Sequence, residues 1–432
     1  MNAGPASARP LGPWTATALV VGNMIGSGVF LLPAALAPFG GASLLGWAVT
    51  LAGALLLAFT FARMAMRWPC SGGPYAYARN AFGDGVGFAV AWSYWISIWC
   101  ANAAIAIAFA GSLGALWPAA TATPLRAAAC ALAALWLCAA VNLAGVREAG
   151  RLQVAATALK LAPLLLFGAV GVWWLDLRQA FEPFNPSGQP LWQAAHASAA
   201  LCLWALLGLE AATVPAGAVA DPRRNVPLAT VLGTLVAGVA TVLACTVVVG
   251  LLPAQQLAAS PAPMADAAAF YWGAPAGLAM AAAAAVSCLG ALNGWTLLAG
   301  QLPLAAARDG VFPAAFARVD ARGTPWFGVL AGSGLASALV LANYSRSLVQ
   351  VFVFAILLST AATLVPYLAG SAAWLRRGEG RGSRIAAAGG FAFSVYALAG
   401  IGLDALFWGA ILLLAGVPVR LWLRRASQAG AR

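Results

Sequence analysis

Residues 22–30 of the chain read GNMIGSGVF, an unusual composition for the middle of a long apolar segment. Three glycines, an asparagine and a serine weaken a helix at a depth where no water can bond the freed backbone groups. Irregular backbone is tolerated there only where it faces protein or a water-filled cavity. The stretch therefore predicts a helix that is interrupted to expose backbone donors to a ligand. Close helix packing is the competing explanation for its glycines.

The composition indicates an all-α polytopic membrane protein. Of 432 residues, 63% are hydrophobic and only 8% are charged, whereas a soluble domain carries about 25% charged residues. Apolar runs are continuous and do not alternate, which excludes a β-barrel. The net charge of +12 comes from arginines in loops, so we expect no nucleic-acid partner.

We predict twelve transmembrane helices. They cover about residues 13–37, 43–66, 85–115, 125–145, 153–174, 192–217, 228–252, 273–304, 325–343, 348–375, 385–403 and 405–423. Nineteen arginines fall in the termini and in one set of loops, and three (Arg126, Arg178 and Arg346) fall in the other set. The positive-inside rule then places both termini in the cytoplasm.

Two amphipathic loops suggest an internal repeat. SGGPYAYARNAFG (71–83) follows span 2, and PAQQLAASPAPMADAAAFYW (253–272) follows span 7 on the opposite side. Each predicts a short interfacial helix. Because five spans separate them, the second unit must be inverted, as in many transporters. A third such loop, at 307–319, has no clear counterpart.

This repeat predicts the organisation of the chain. It comprises a cytoplasmic tail (1–12), a first five-helix repeat (13–174), a second, inverted repeat (192–375), two further spans (385–423) and a second cytoplasmic tail (424–432). Span 6 should then be broken at the same depth as span 1. It contains Gly208, Glu210, Thr213, Pro215 and Gly217, which fits that expectation.

Two charged residues lie inside predicted spans, where charge is costly. Glu210 is either a carboxyl kept neutral or paired within the bundle, or a proton-responsive, substrate-coupled acid. Lys160, the only lysine in the chain, either snorkels to the interface or supplies an amine near the broken helices in place of a metal cation. Two mid-span tryptophans, Trp204 and Trp295, offer indole faces to a substrate cation.

The sequence gives little indication of a metal, cofactor or catalytic site, or of a channel. The seven cysteines have no ligand-like spacing and there is one histidine, His196. We therefore expect no metal, no cofactor and no enzyme activity. A channel is also disfavoured, because the polar residues cluster at one depth.

Six motifs resemble the amino acid–polyamine–organocation superfamily. They are GNMIGSGVFLLPA, SGGPYAYAR, LWALLGLEAA, DPRRNVPLAT, GWTLLAGQ and TLVPYLAG, spread over about residues 12–375. The chain looks most like its basic amino acid/polyamine antiporters, especially the bacterial arginine/agmatine group. The resemblance implies a LeuT-type fold of 5+5 inverted repeats with broken spans 1 and 6, plus two extra spans.

The resemblance also implies roles for particular residues. Asn23, Met24, Ser27 and Gly28 match the break that binds the substrate carboxylate. The rest of the substrate-binding site is matched by seven residues, namely Trp204 and Leu207 on span 6, Trp295 on span 8, Asn102, Ser97 and Ile98 on span 3, and Ser359 on span 10. Tyr75 and Tyr94 match aromatic gates, and Glu210 matches a pH-sensing glutamate.

Three residues differ from the pattern of the arginine/agmatine group, and they concern the choice of substrate and the coupling of transport to an ion. Ser97 and Ile98 stand where the arginine/agmatine group usually has alanine and cysteine, and Lys160 stands where it has a small residue. A span-5 lysine is instead similar to superfamily members in which the amine fills a sodium position. We expect an antiporter that exchanges an arginine-like amino acid for an agmatine-like amine. A proton-coupled amino acid symporter that uses Lys160 is the alternative. The family implies a homodimer in a bacterial inner membrane.

Overall fold

The computed structural model describes residues 12–145, 160 and 161, 164–175, 181–214 and 216–429. Parts of the predicted features lie outside these residues. They are Pro215 of span 6, residues 153–159, 162 and 163 of span 5, residues 1–11 and 430–432 of the two tails, and Arg9, Arg147, Arg151, Arg178 and Arg432 among the arginines used for orientation.

The described chain is built from helices. The longer ones are α1 (Pro13–Met24), α2 (Ser27–Leu36), α3 (Ala42–Arg67), α5 (Asp84–Leu116), α6 (Pro124–Ala144), α8 (Leu191–Trp204), α9 (Pro222–Leu251), α12 (Ala274–Arg308), α13 (Trp326–Ala342), α14 (Leu348–Arg377) and α15 (Arg381–Ala399). The others are α4 (Pro74–Phe82), α7 (Leu164–Trp174), α10 (Ala254–Ala259), α11 (Pro263–Trp272), α16 (Leu403–Leu414) and α17 (Gly416–Ala429).

Eight helical segments within the described residues are long and apolar enough to cross a membrane. They correspond to predicted spans 1–4, 7, 8, 10 and 12. The other four predicted spans coincide with helices that are shorter, interrupted or less apolar, namely α7, α8, α13 and α15. The protein is therefore an all-α polytopic membrane protein, as the composition predicted.

Span 1 is broken where GNMIGSGVF predicts it. α1 ends at Met24, and Ile25 and Gly26 leave the helical region with φ, ψ of −80°, 88° and −129°, −134°. α2 restarts at Ser27. A Cβ on Gly26 would lie 2.8 Å from the Ala291 Cβ, so the absence of a side chain also lets the break approach α12.

Span 6 is broken too. α8 ends at Trp204, and turns follow to Glu210 before a 3₁₀ segment at Ala211–Thr213. Gly208 has φ of +100°, a conformation that costs an L side chain strain but is open to glycine. A Cβ there would lie 3.1 Å from the Asn23 Cβ, so the two breaks are in contact.

The interfacial helices follow the predicted pattern. α4 lies in the loop after α3, while α10 and α11 lie in the loop after α9. The third amphipathic loop, at 307–319, begins with the last two residues of α12 and then contains a 3₁₀ turn at Ala314–Ala317. The division into two repeats at 13–174 and 192–375 remains a prediction.

The breaks lie inside the bundle. α5 is buried along most of its length and packs against α12 and α14, and α1 and α3 pack on α9. α16, in contrast, exposes large apolar side chains such as Leu403, Phe407 and Trp408. The core around α5 thus provides a rigid frame for the interrupted helices.

Candidate substrate-binding site

A small cavity lies where the two breaks meet. It is lined by Asn23, Met24, Gly26, Ser27, Gly28, Ile105, Trp204, Leu207 and Trp295. Its volume is about 10 Å³, roughly the space that one water needs. An amino acid would therefore fit only after the two broken segments move apart.

The carbonyl end of α1 is held by two side chains from other helices. The ammonium of Lys160 donates to the carbonyl of Gly22 at 2.5 Å and also to that of Ile25. The indole of Trp295 donates to the carbonyl of Asn23 at 3.2 Å. Because a helix end leaves its last carbonyls without N–H partners, these contacts stabilise the break.

Lys160 does not snorkel to the interface. Its side chain is completely buried, and its ammonium lies at the negative end of the α1 dipole. Of the two interpretations of this lysine, the structure supports an amine at the broken helix. Its two carbonyl partners are ligands that a bound cation would use.

The amino end of α2 faces the same cavity. Its first residues, Ser27 and Gly28, line the cavity, and Gly26 at the N-cap contributes no side-chain hydrogen bond. The first N–H groups of a helix lack intrahelical partners and carry a partial positive charge. This end of α2 can therefore bind a carboxylate.

Several buried polar groups around the cavity have no partner among the described atoms. They are both amide atoms of Asn23, the Ser27 hydroxyl and the indole N–H of Trp204. The amide of Asn102 is also without a partner, and this residue lies one turn from Ile105 on α5. Since a buried polar group without a partner is costly, this cluster is suited to a polar ligand.

Glu210 is held between two tyrosines. Tyr94 donates to its Oε1 at 2.5 Å and Tyr367 donates to its Oε2 at 2.6 Å. All three side chains are fully buried. The triad connects the break in span 6 to α5 and α14, and it supplies both carboxylate oxygens with donors.

The sequence model of the amino acid permease family matches residues 11–408. The chain belongs to this family.

Two relatives show how far the permease resembles characterised members. A cadaverine/lysine antiporter of Escherichia coli (strain K12) is 37% identical over 335 residues, which cover 78% of this chain and 75% of that protein. The putrescine transporter PotE of Haemophilus influenzae is 32% identical over 419 residues, covering 95% of this chain and 96% of that protein. These are basic amino acid/polyamine transporters, the group indicated by the sequence motifs.

Not every predicted site residue of the permease lines the cavity. The Ser359 hydroxyl donates to the Ser97 carbonyl at 2.8 Å, and the Ser97 hydroxyl donates to the Tyr94 carbonyl. These serines thus join α14 to α5 beside the triad. Ile98 is buried on the same helix and, like them, does not line the cavity.

Tyr75 lies on α4, away from the cavity-lining residues. Its hydroxyl donates to Asp309 at 2.9 Å, and Arg79 contacts both Asp309 and Asp84. Burial, followed by the hydrogen bond to Asp309, raises the pKa of Tyr75. The tyrosine is therefore a neutral donor that ties α4 to the end of α12.

Three residues of the permease site escaped the sequence-based list: Gly26, Ile105 and Tyr367. Gly26 stands within the quoted glycine–serine stretch, and Tyr367 within TLVPYLAG beside Pro366. Gly26 and Tyr367 could therefore have been recognised from the sequence, because glycine and proline weaken a regular helix within a span. Ile105 is an ordinary apolar residue of α5, and no local signal marks it.

Proposed function

We propose that this permease is an antiporter that exchanges a cationic amino acid for the amine that remains after its decarboxylation. The observation that carries the proposal is the cavity between the two broken helices. It combines an anion-binding helix end, unpartnered polar groups and a tryptophan face.

The substrate carboxylate is assigned to the amino end of α2. Ser27 and Asn23 add a hydroxyl and an amide without partners. An amine lacks the carboxylate, so it would use only the remainder of the site. That difference lets one site bind the amino acid and its amine alternately, as exchange requires.

The cationic end of the substrate is assigned to Trp204. The cavity lining contains no acidic residue, and both oxygens of Glu210 accept from tyrosines. A cation held against an indole face gains about 0.5–2 kcal/mol. Such a face accepts the ammonium of lysine as well as the guanidinium of arginine, and both pairs, lysine with cadaverine and arginine with agmatine, are candidate substrates.

Binding of lysine and arginine to the purified protein tests this assignment. We expect Trp204→Ala to raise the dissociation constants about tenfold, the equivalent of 1.4 kcal/mol. Trp136 is the matched control, because its side chain is 43% exposed on α6 and does not line the cavity. Equal affinities of Trp204→Ala and Trp136→Ala would exclude the proposed cation site.

Proton-coupled amino acid symport is a second candidate, and Lys160 is the observation that favours it. The buried ammonium bonds to the carbonyls of Gly22 and Ile25. Loss of its proton would remove the positive charge and one of three N–H donors, which weakens both bonds to the break and links a proton to the geometry of the site. A symporter would take up substrate into vesicles that contain none.

The cellular setting is part of the same proposal. We assign the permease to a bacterial inner membrane, with both termini in the cytoplasm, and we expect a homodimer. Protease accessibility of a C-terminal tag in right-side-out and inverted vesicles tests the orientation. Light scattering of the purified protein tests the dimer.

A further inference from the structure

A second and larger cavity lies at the end of the bundle that carries few arginines, which we call the arginine-poor face. It occupies about 310 Å³, a volume typical of small-molecule sites. Its wall is formed by the ends of α2, α7 and α9, by α10 and α11, and by the loop before α8. None of its lining residues lines the cavity between the breaks.

Negative charge and carbonyl groups converge on this second cavity. Glu182 is its acidic side chain and is exposed. The last three residues of α9, Val249 to Leu251, and Leu252 directly after the helix form another part of the wall. The carbonyl end of a helix is partly negative. Pro253 has no N–H to offer the Val249 carbonyl, which thus loses its helical donor.

Aromatic side chains form the other part of the wall. Trp174, Phe181 and Tyr271 all line the cavity. The Tyr271 hydroxyl donates to the Leu251 carbonyl at 3.1 Å, which fixes this ring at the end of α9. Aromatic faces beside a carboxylate select an organic cation, and the volume far exceeds that of a bare metal ion.

The loop that carries Glu182 is anchored to the membrane bundle. The amide of Ala42 donates to the Phe184 carbonyl at 2.9 Å. A Cβ on Gly40 would lie 2.7 Å from the Pro186 ring, so the loop packs closely on the segment after α2. The backbone next to Glu182 is therefore anchored beside the cavity.

We infer that this cavity is a second binding site, for an organic ammonium ion of the diamine class. One ammonium group pairs with Glu182, and the alkyl chain lies against the aromatic wall. The other ammonium approaches the carbonyl end of α9. The site is separate from the cavity between the breaks, and it also contacts Ala37 directly after α2. A ligand there would increase the local concentration of amine beside the helix that carries the transport site.

Equilibrium binding of radiolabelled cadaverine to the purified protein in lipid nanodiscs tests the inference. The measurement uses Trp204→Ala as the background, so that the cavity between the breaks contributes little. We expect Glu182→Gln to weaken the remaining binding about threefold to fivefold, the size of one exposed charge pair. Pentylamine should compete for this binding, whereas pentanol should not.

Asp404 provides the matched control, because it is an exposed acidic residue at the same face and does not line the cavity. Asp404→Asn should change cadaverine binding less than twofold. Equal effects of Glu182→Gln and Asp404→Asn, or equal competition by pentanol and pentylamine, would overturn the inference. Unchanged cadaverine binding in Trp204→Ala alone would contradict the proposed transport site. The comparison between Glu182→Gln and Asp404→Asn would still test the second binding site.

Discussion

The ammonium nitrogen of Lys160, in predicted span 5, lies 2.5 Å from the carbonyl oxygen of Gly22 in the broken first span. The same ammonium also bonds to Ile25, on the other side of Met24. One side chain thus clamps the carbonyl end of α1 at the point where the backbone leaves the helix. This relationship connects the only lysine of the chain to the geometry of the cavity between the breaks.

Removal of this clamp should destabilise the break. Lys160→Met keeps an unbranched side chain that is one atom shorter, and it leaves two buried carbonyls without a donor, at about 1–3 kcal/mol for each. We expect a lower melting temperature and at least a tenfold loss of exchange. Leu166→Met on α7 is the control, because Leu166 is exposed. A Lys160→Met protein that melts and exchanges like Leu166→Met would contradict the clamp.

Gly28 should be essential for the shape of the site. A Cβ at this position would lie 3.1 Å from Ala205 and 3.2 Å from the Trp204 ring, so Gly28→Ala must displace the start of the span-6 break. We expect exchange to fall at least tenfold while the protein still folds. Gly334→Ala is the control, because a Cβ on Gly334 of α13 meets nothing within 4 Å. Normal exchange by Gly28→Ala would show that the breaks do not need this close contact.

Glu210 should give exchange its dependence on pH. Glu210→Gln replaces one acceptor oxygen with an NH₂ group, which then faces a hydroxyl of Tyr94 or Tyr367 that also donates. The variant has no carboxyl group at this position to gain or lose a proton. The exchange rate is measured at about pH 5.5 and at about pH 7.5. The ratio of these two rates in Glu210→Gln should differ at least threefold from the wild-type ratio, a difference that one titrating group can produce. Glu379→Gln serves as the control, because Glu379 is an exposed partner of Arg67. A pH profile identical to the wild-type profile would remove Glu210 from this role.

The contact network around α4 should persist in mild acid. The hydrogen bond from Arg79 lowers the pKa of Asp84. A carboxyl with a lowered pKa contributes stability above its ordinary pKa and loses it only as the pH falls through the lower value. Asp84→Asn should therefore reduce exchange by the same factor at about pH 5.5 and about pH 7.5. An effect that vanished at the lower pH would show that the contact is already broken there.

The sequence predicted those parts of the site that depend on local backbone. Glycine and serine at 22–30 and the glycine at 208 mark the two breaks, because these residues weaken a helix wherever they occur. The interfacial helix α4 was also recognisable from its own residues. The division into repeats and the roles of the individual side chains in binding remain predictions.

The contacts between distant residues could not be predicted in this way. Tyr367 reaches Glu210 from 157 positions further along the chain, and Ser359 reaches Ser97 from 262 positions away. Such partners depend on how α14 rotates and packs against α5, and no local pattern encodes that rotation. The same holds for the two carbonyl partners of Lys160, which lie 138 and 135 positions away in the first span.

Exchange by the purified permease in proteoliposomes tests the central claim most directly. Uptake of labelled lysine and of labelled arginine is measured into vesicles that contain cadaverine, agmatine or no substrate, with and without an inward proton gradient. We predict uptake only into vesicles loaded with an amine or with unlabelled amino acid, and little effect of the gradient on empty vesicles. Uptake into empty vesicles that is driven by the proton gradient would contradict exchange and would make Lys160 the centre of a symport mechanism.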